Sequence, residues 1–150
     1  MHAFPHHYLV AAAATTVGDV ELTADRVVTL ESASPAEFDG PGDRWSPETL
    51  LTAALADCFV LTFRGVARAS KLPWTSLRCE ATGTLDRIDR ATQFTGFDLH
   101  AHLVVPPGTD LEAARRVLDK AEHSCLIANS LKGGVRLTPV VEVVGEAVPA

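Results

Sequence analysis

The segment that most constrains this chain runs from Ser46 to Ser70. Ser46 is a good N-cap, Pro47 suits the first helical position, and Glu48 favours the positive end of the helix dipole. From Leu50 to Phe63 the residues are apolar nearly all round, apart from Thr52 and Asp57, and Lys71-Leu72-Pro73 stops the helix. A helix of this kind belongs in the middle of a protein, not on its surface. It is not read as a membrane span, because Asp57 and Arg64 break the stretch from Leu50 to Val66. The rest of the chain has to supply the layers that cover it.

The chain has 150 residues, 47% of them hydrophobic, with a formal charge of −6. The length fits a single domain over residues 1–150. A domain of this size buries roughly 68–70% of its unfolded surface and needs no disulfide staples. It is too apolar for a disordered tail. A mildly acidic chain with no basic run lacks the footprint of a nucleic-acid binder, and no membrane partner is expected. Residues Met1 to Tyr8 hold three histidines and a proline instead of an export signal, so a cytoplasmic location is expected. In that reducing compartment the three cysteines are read as free thiols.

The remaining elements follow from periodicity. Tyr8 to Thr16, Val20 to Thr23 and Arg26 to Leu30 read as short strands with a turn at Gly18-Asp19; Ser32 to Arg44 reads as a polar loop. Leu77 to Leu85 and Phe97 to Val105 alternate apolar and polar residues, as half-buried antiparallel strands do, with Asp86 to Thr92 as their turn. A helix is predicted from about Asp110 to Glu122, a short further helix over Cys125 to Leu131, and a last strand from Val135 to Val144. Elements segregated in this way indicate an α+β fold with antiparallel sheets rather than a parallel βαβ fold.

No phosphate-binding glycine loop, nucleophile elbow or Cys-x-x-Cys pair is present. The chemistry therefore falls to the cysteines and a few polar residues. Cys58 lies mid-helix, where a free cysteine is ordinarily a small core residue. Cys125 opens the short second helix, a position that favours the thiolate. Cys79 alternates onto the apolar face of its strand and is assigned to packing. A Cys58–Cys125 pair makes sense only as a redox couple, in which one thiol forms a sulfenic acid and the other condenses with it. Spacing alone does not pair them.

Two segments carry a resemblance. Ser46-Pro47-Glu48-Thr49-Leu50-Leu51-Thr52-Ala53-Ala54-Leu55-Ala56-Asp57-Cys58-Phe59 resembles the first-cysteine motif of the OsmC/Ohr family, and Ala121-Glu122-His123-Ser124-Cys125-Leu126-Ile127-Ala128-Asn129-Ser130-Leu131 resembles its second. The cysteine spacing and element order are also similar, over nearly the whole chain. The resemblance implies an intertwined α+β homodimer with two long central helices packed between sheets. It implies reduction of organic hydroperoxides by a peroxidatic cysteine at Cys58 and a resolving cysteine at Cys125, without a bound cofactor or metal. It places Glu48 at the family's active-site glutamate, and implies recycling by a dithiol, a lipoyl protein in many members. Glu48 and Cys58 are ten residues apart, about 15 Å along a straight helix. A Glu48 that serves Cys58 therefore reaches the cysteine of the partner subunit. Complementing the helix dipole also explains Glu48 without catalysis.

One departure stands out. The Ohr branch carries an arginine in the turn between its first strands, where this chain reads Thr15-Thr16-Val17-Gly18-Asp19. A thiol buried in an apolar helix is expected to have a raised pKa unless a cation offsets it. Arg44 is the substitute candidate, and Arg26, in the third strand, the weaker one; for any single arginine a solvated surface charge is the commoner reading. The departure points to a general OsmC-like thiol peroxidase rather than to the Ohr branch. Among the histidines, His2, His6 and His7 are given no role. His100 and His102 share a strand face at a spacing that can chelate, without a third ligand in the sequence, and His123 can tune Cys125. Trp45 is expected to pack as a staple before the helix, and Trp74 to pack at a strand start. Two alternatives stay open: a binding protein for a small apolar ligand, and a redox sensor using the same cysteine pair.

Overall fold

The central helix is present: α1 spans Pro47–Ala69 without a break. Ser46 and Thr49 cap it reciprocally, the Ser46 Oγ accepting from the Thr49 N–H at 3.2 Å and the Thr49 Oγ1 accepting from the Ser46 N–H at 2.8 Å. This is a capping box with threonine in place of the usual acid or amide. The computed structural model describes residues 1–146 and divides into two units, Met1–Leu50 and a second beginning at Leu51.

The first unit holds a three-stranded antiparallel sheet of β1 (Ala11–Ala13), β2 (Val20–Thr23) and β3 (Leu30–Ser32), in that order. A single 3-10 turn follows at Ala36–Phe38. The strands are shorter than expected, and β3 begins where the predicted strand ends. Arg26 explains the shift: its φ of 60° lies in the left-handed region, which an extended strand does not admit. Arg26 therefore sits in the turn before β3, exposed and paired with Asp25 at 3.2 Å.

The second unit contains most of α1, then β4 (Ser76–Ile88), β5 (Ala91–Val105), α2 (Leu111–His123), a 3-10 turn at Ala128–Ser130 and β6 (Gly134–Val143). β4 and β5 form a long antiparallel hairpin with Leu77 opposite Leu103 and Cys79 opposite Ala101. Its turn is tighter than expected, because Asp89 and Arg90 both take positive φ, as a two-residue hairpin requires. β6 corrects the antiparallel expectation: it pairs with β5 in parallel, Phe97 opposite Val135, so the sheet is mixed. α2 lies in the crossover that a parallel pair needs. Asp110 caps α2, accepting from the Ala113 N–H at 3.0 Å.

The core joins three stripes. Leu55, Phe59, Phe63 and Ala67 of α1 recur every fourth residue and are fully buried. Leu99, Leu103 and Val105 of β5 and Ala114, Leu118 and Ala121 of α2 complete it. Trp74 packs as expected, edge-on to Phe63 with centroids 5.3 Å apart. Gly83 is required here, since a Cβ would lie 2.8 Å from a ring carbon of Phe94 and 2.9 Å from one of Phe97. Trp45, in contrast, is 47% exposed and does not pack as a staple. α1 does meet the length and composition of a membrane span, which corrects the sequence reading. Its Leu55-to-Ala67 stripe is committed to protein packing instead, while Leu51 and Leu61 on other faces stay exposed.

Candidate active site

Cys58 projects from the middle of α1 into a cavity of about 430 Å³. Ala54, Leu61, Leu126 and Ile127 form its apolar wall, and Thr62 and Asp57 complete its lining. Cys125, fully buried just past the end of α2, lies close enough to Cys58 for each thiol to shift the other's pKa. The fold thus brings the two sequence-distant thiols together. All three cysteines are free.

The electrostatics separate the two thiols. Burial is the largest influence on Cys58 and pushes its pKa up, but four neutral groups outweigh it. The Ile127 backbone, the Cys125 thiol, the Thr62 hydroxyl and the Leu126 backbone together hold Cys58 below its ordinary value. The Thr62 Oγ1 lies 3.9 Å from the sulfur, one helical turn on. Cys125 goes the other way: burial, followed by the hydrogen bond its thiol donates to Cys58 and the charge of Cys58, pushes it up to about 11 against the opposing Ala128 backbone. Two expectations change. Oriented backbone dipoles lower the Cys58 pKa where a cation was thought necessary. Cys125 gains no thiolate character from a helix start, because the chain after it forms only the 3-10 turn at Ala128–Ser130.

Cys79 faces the core on β4, half-buried, and its thiol is raised to about 11 by burial, then by Cys125 and Glu80. This fits its assignment to packing.

The charged candidates lie in the first unit. Glu48 is half-buried in the first turn of α1. Arg44 is clasped by three carboxylates: its Nε stands 2.7 Å from Asp19 Oδ2 and 3.6 Å from Glu31 Oε2, and its Nη1 3.3 Å from Asp43 Oδ2. The hydrogen bond to Asp19 is the largest of the influences that raise its pKa. Asp19 closes the very turn that lacks an arginine in sequence, so the guanidinium reaches that turn through space. Asp19 was missed because a pairing across 25 positions leaves no local pattern. Thr62 was legible in principle, four residues after Cys58 on a helix. The backbone groups of Leu126 and Ile127 were not, since any residue carries them.

The histidines take structural places. His102 Nε2 bonds Glu142 Oε2 across β5 and β6 at 2.6 Å. His123 Nδ1 meets the Asp119 carbonyl at 2.8 Å, and this contact followed by Glu122 raises its pKa. Among the described residues no group of three metal-ligating side chains gathers.

Residues 40–140 match the family described as OsmC-like protein. The chain belongs to the OsmC-like family. It is 28% identical over 142 residues to the organic hydroperoxide resistance protein of Xanthomonas axonopodis pv. citri, covering 91% of this chain and 96% of that one. Solved OsmC-like structures agree with the α+β fold. An OsmC-like protein of Vibrio cholerae superposes with a TM-score of 0.82 at 18% identity, over 91% of this chain and 100% of the other. An organic hydroperoxide resistance protein of Legionella pneumophila gives 0.74 at 27% identity, over 94% and 100%.

Proposed function

We propose that this OsmC-like chain is a cytoplasmic, homodimeric thiol peroxidase that reduces organic hydroperoxides. The observation that carries the reading is the asymmetry of the thiol pair: Cys58 opens to an apolar cavity with a lowered pKa, while Cys125 is buried behind it with a pKa near 11. The relatives named for organic hydroperoxide resistance support it. The lowered Cys58 also favours it over a passive binding protein for an apolar ligand.

In this mechanism the Cys58 thiolate attacks the distal peroxide oxygen. The O–O bond breaks, two electrons leave sulfur, and the alkoxide takes a proton from water and departs as the alcohol. The Cys58 sulfenic acid then condenses with the Cys125 thiol, releasing water and forming the disulfide. A dithiol such as a lipoyl group reduces that disulfide by exchange, taking the oxidation away as its own disulfide. The contacts made by Ile127 and Leu126 hold the attacking sulfur, and the apolar wall receives an apolar tail.

The two units of each chain act as one functional domain, and the dimer supplies what one chain lacks. The exposed apolar faces of α1, with Leu51 and Leu61, pack against a second copy. Glu48 and the Arg44 cluster then approach the partner's thiol, Arg44 taking the place of the turn arginine through Asp19. The test is consumption of cumene hydroperoxide or tert-butyl hydroperoxide with a dithiol. Wild type turns over. Cys58→Ser is inactive, and Cys125→Ser given hydroperoxide without the dithiol reacts once and stops at a dimedone-reactive sulfenic acid. Full activity in Cys58→Ser would overturn the mechanism.

A further inference from the structure

The thiol cavity has one feature that the peroxidase reading leaves unused. Apart from Cys58, Asp57 is the only ionisable side chain among the described residues that line it, and no cation lines it. The other walls are alanine, leucine, isoleucine and one threonine. The cavity is therefore a small apolar volume with one acidic residue, the exposed Asp57, in its lining. The Arg44 cluster does not change this balance if a partner brings it close, since it holds one guanidinium against three carboxylates.

We propose that Asp57 makes the Cys58 cavity selective for electrically neutral organic hydroperoxides and turns away anionic peroxides of the same size. The proposal rests on the peroxidase reading and adds the charge class of the substrate. An anionic substrate entering this volume loses water without gaining a counter-charge. It also meets the Asp57 carboxylate and the Cys58 thiolate, and in the proposed dimer the Glu48 carboxylate adds to the same sign. A neutral alkyl or aryl hydroperoxide meets only the apolar walls. The thiolate's repulsion is inherent to the chemistry; the Asp57 contribution belongs to this chain and can be removed.

The experiment compares cumene hydroperoxide with its para-carboxylate, two substrates of similar size that differ by one charge, at pH 7.5 with the full-length protein and dithiothreitol. The readout is the ratio of kcat/KM for the neutral to the anionic substrate, so any general loss of activity in a variant cancels. Wild type favours the neutral substrate. Asp57→Asn narrows the ratio by roughly three- to ten-fold, the size of one unit charge acting at the rim of a partly wet site. Asp57→Lys narrows it further, and raising the salt narrows it in wild type. A ratio unchanged in both variants would overturn the selectivity while leaving the peroxidase reading intact. No turnover of cumene hydroperoxide by wild type would overturn both.

Discussion

The two units of this chain each carry a three-stranded sheet and bury very different things. Among the described residues, all fourteen buried hydrophobic side chains belong to the second unit; the first buries only Ser32 and Ser46. β1 has no buried residue, and Val27 and Val28 before β3 are 65% and 84% exposed. Three short strands without an apolar face are marginal on their own. The chemistry divides along the same line. The thiols, whose geometry must hold to fractions of an ångström, sit on the cored unit. The charged candidates Arg44 and Glu48 sit on the coreless one, where ion pairs tolerate small shifts. A coreless unit that carries charges is what a chain completed by a second copy would leave uncovered, in keeping with the proposed dimer.

The strongest way to break this comparison is to remove one ring from the core. Phe59 is fully buried between α1 and the sheet, so Phe59→Ala should lower stability by about 3–5 kcal/mol in urea unfolding. Val28→Ala, at 84% exposure, should move the midpoint by less than about 0.5 kcal/mol. Equal losses would mean that the first unit has a core of its own.

Thiol titration gives the next largest contrast, this time inside the second unit. A thiol alkylates as its thiolate, so its rate rises with pH through its pKa. Cys58 is held below its ordinary value and Cys125 is pushed up to about 11, so Cys58 ionises first as the pH rises. At pH 7 Cys58 should therefore alkylate well ahead of Cys125. Mass spectrometry of iodoacetamide-treated protein across pH should place the Cys58 midpoint first, with Cys79 and Cys125 following near 11. A Cys58 midpoint at or above 9 would remove the asymmetry on which the peroxidase reading rests.

What was legible in the sequence follows the same physical division. α1 was readable because its cap, its first-turn proline and its apolar run all lie within one local window. The pairing of Cys58 with Cys125 came from the family motifs, not from spacing. The parallel β6 was not readable: its residues alternate as an antiparallel strand's would, and direction is set by the α2 crossover. The Asp89-Arg90 turn hid for another reason, since neither residue is the glycine or asparagine that such turns favour. The donors that lower the Cys58 pKa hid because backbone groups carry no residue signature. Arg44 stands out in the sequence only by its position just ahead of the helix, and three-dimensional placement alone connects it with Asp19.

The smallest effect tests where the two units meet in sequence, at the α1 cap. Ser46 is 1% exposed, and its Oγ takes the Thr49 N–H at 3.2 Å. Ser46→Ala leaves that donor without its acceptor, but Thr49 is itself exposed, so water can replace the bond. The expected loss is about 1 kcal/mol, the ordinary worth of a cap. It should appear first as faster amide exchange at Thr49 and Leu50, because a helix start with no apolar core around it opens locally before the whole domain unfolds. Amides of α1 near Phe59 and Phe63 should keep their protection. If they lose it along with Thr49, the cap is coupled to the core of the second unit, and the first fifty residues share its cooperativity despite having no buried apolar side chain to contribute.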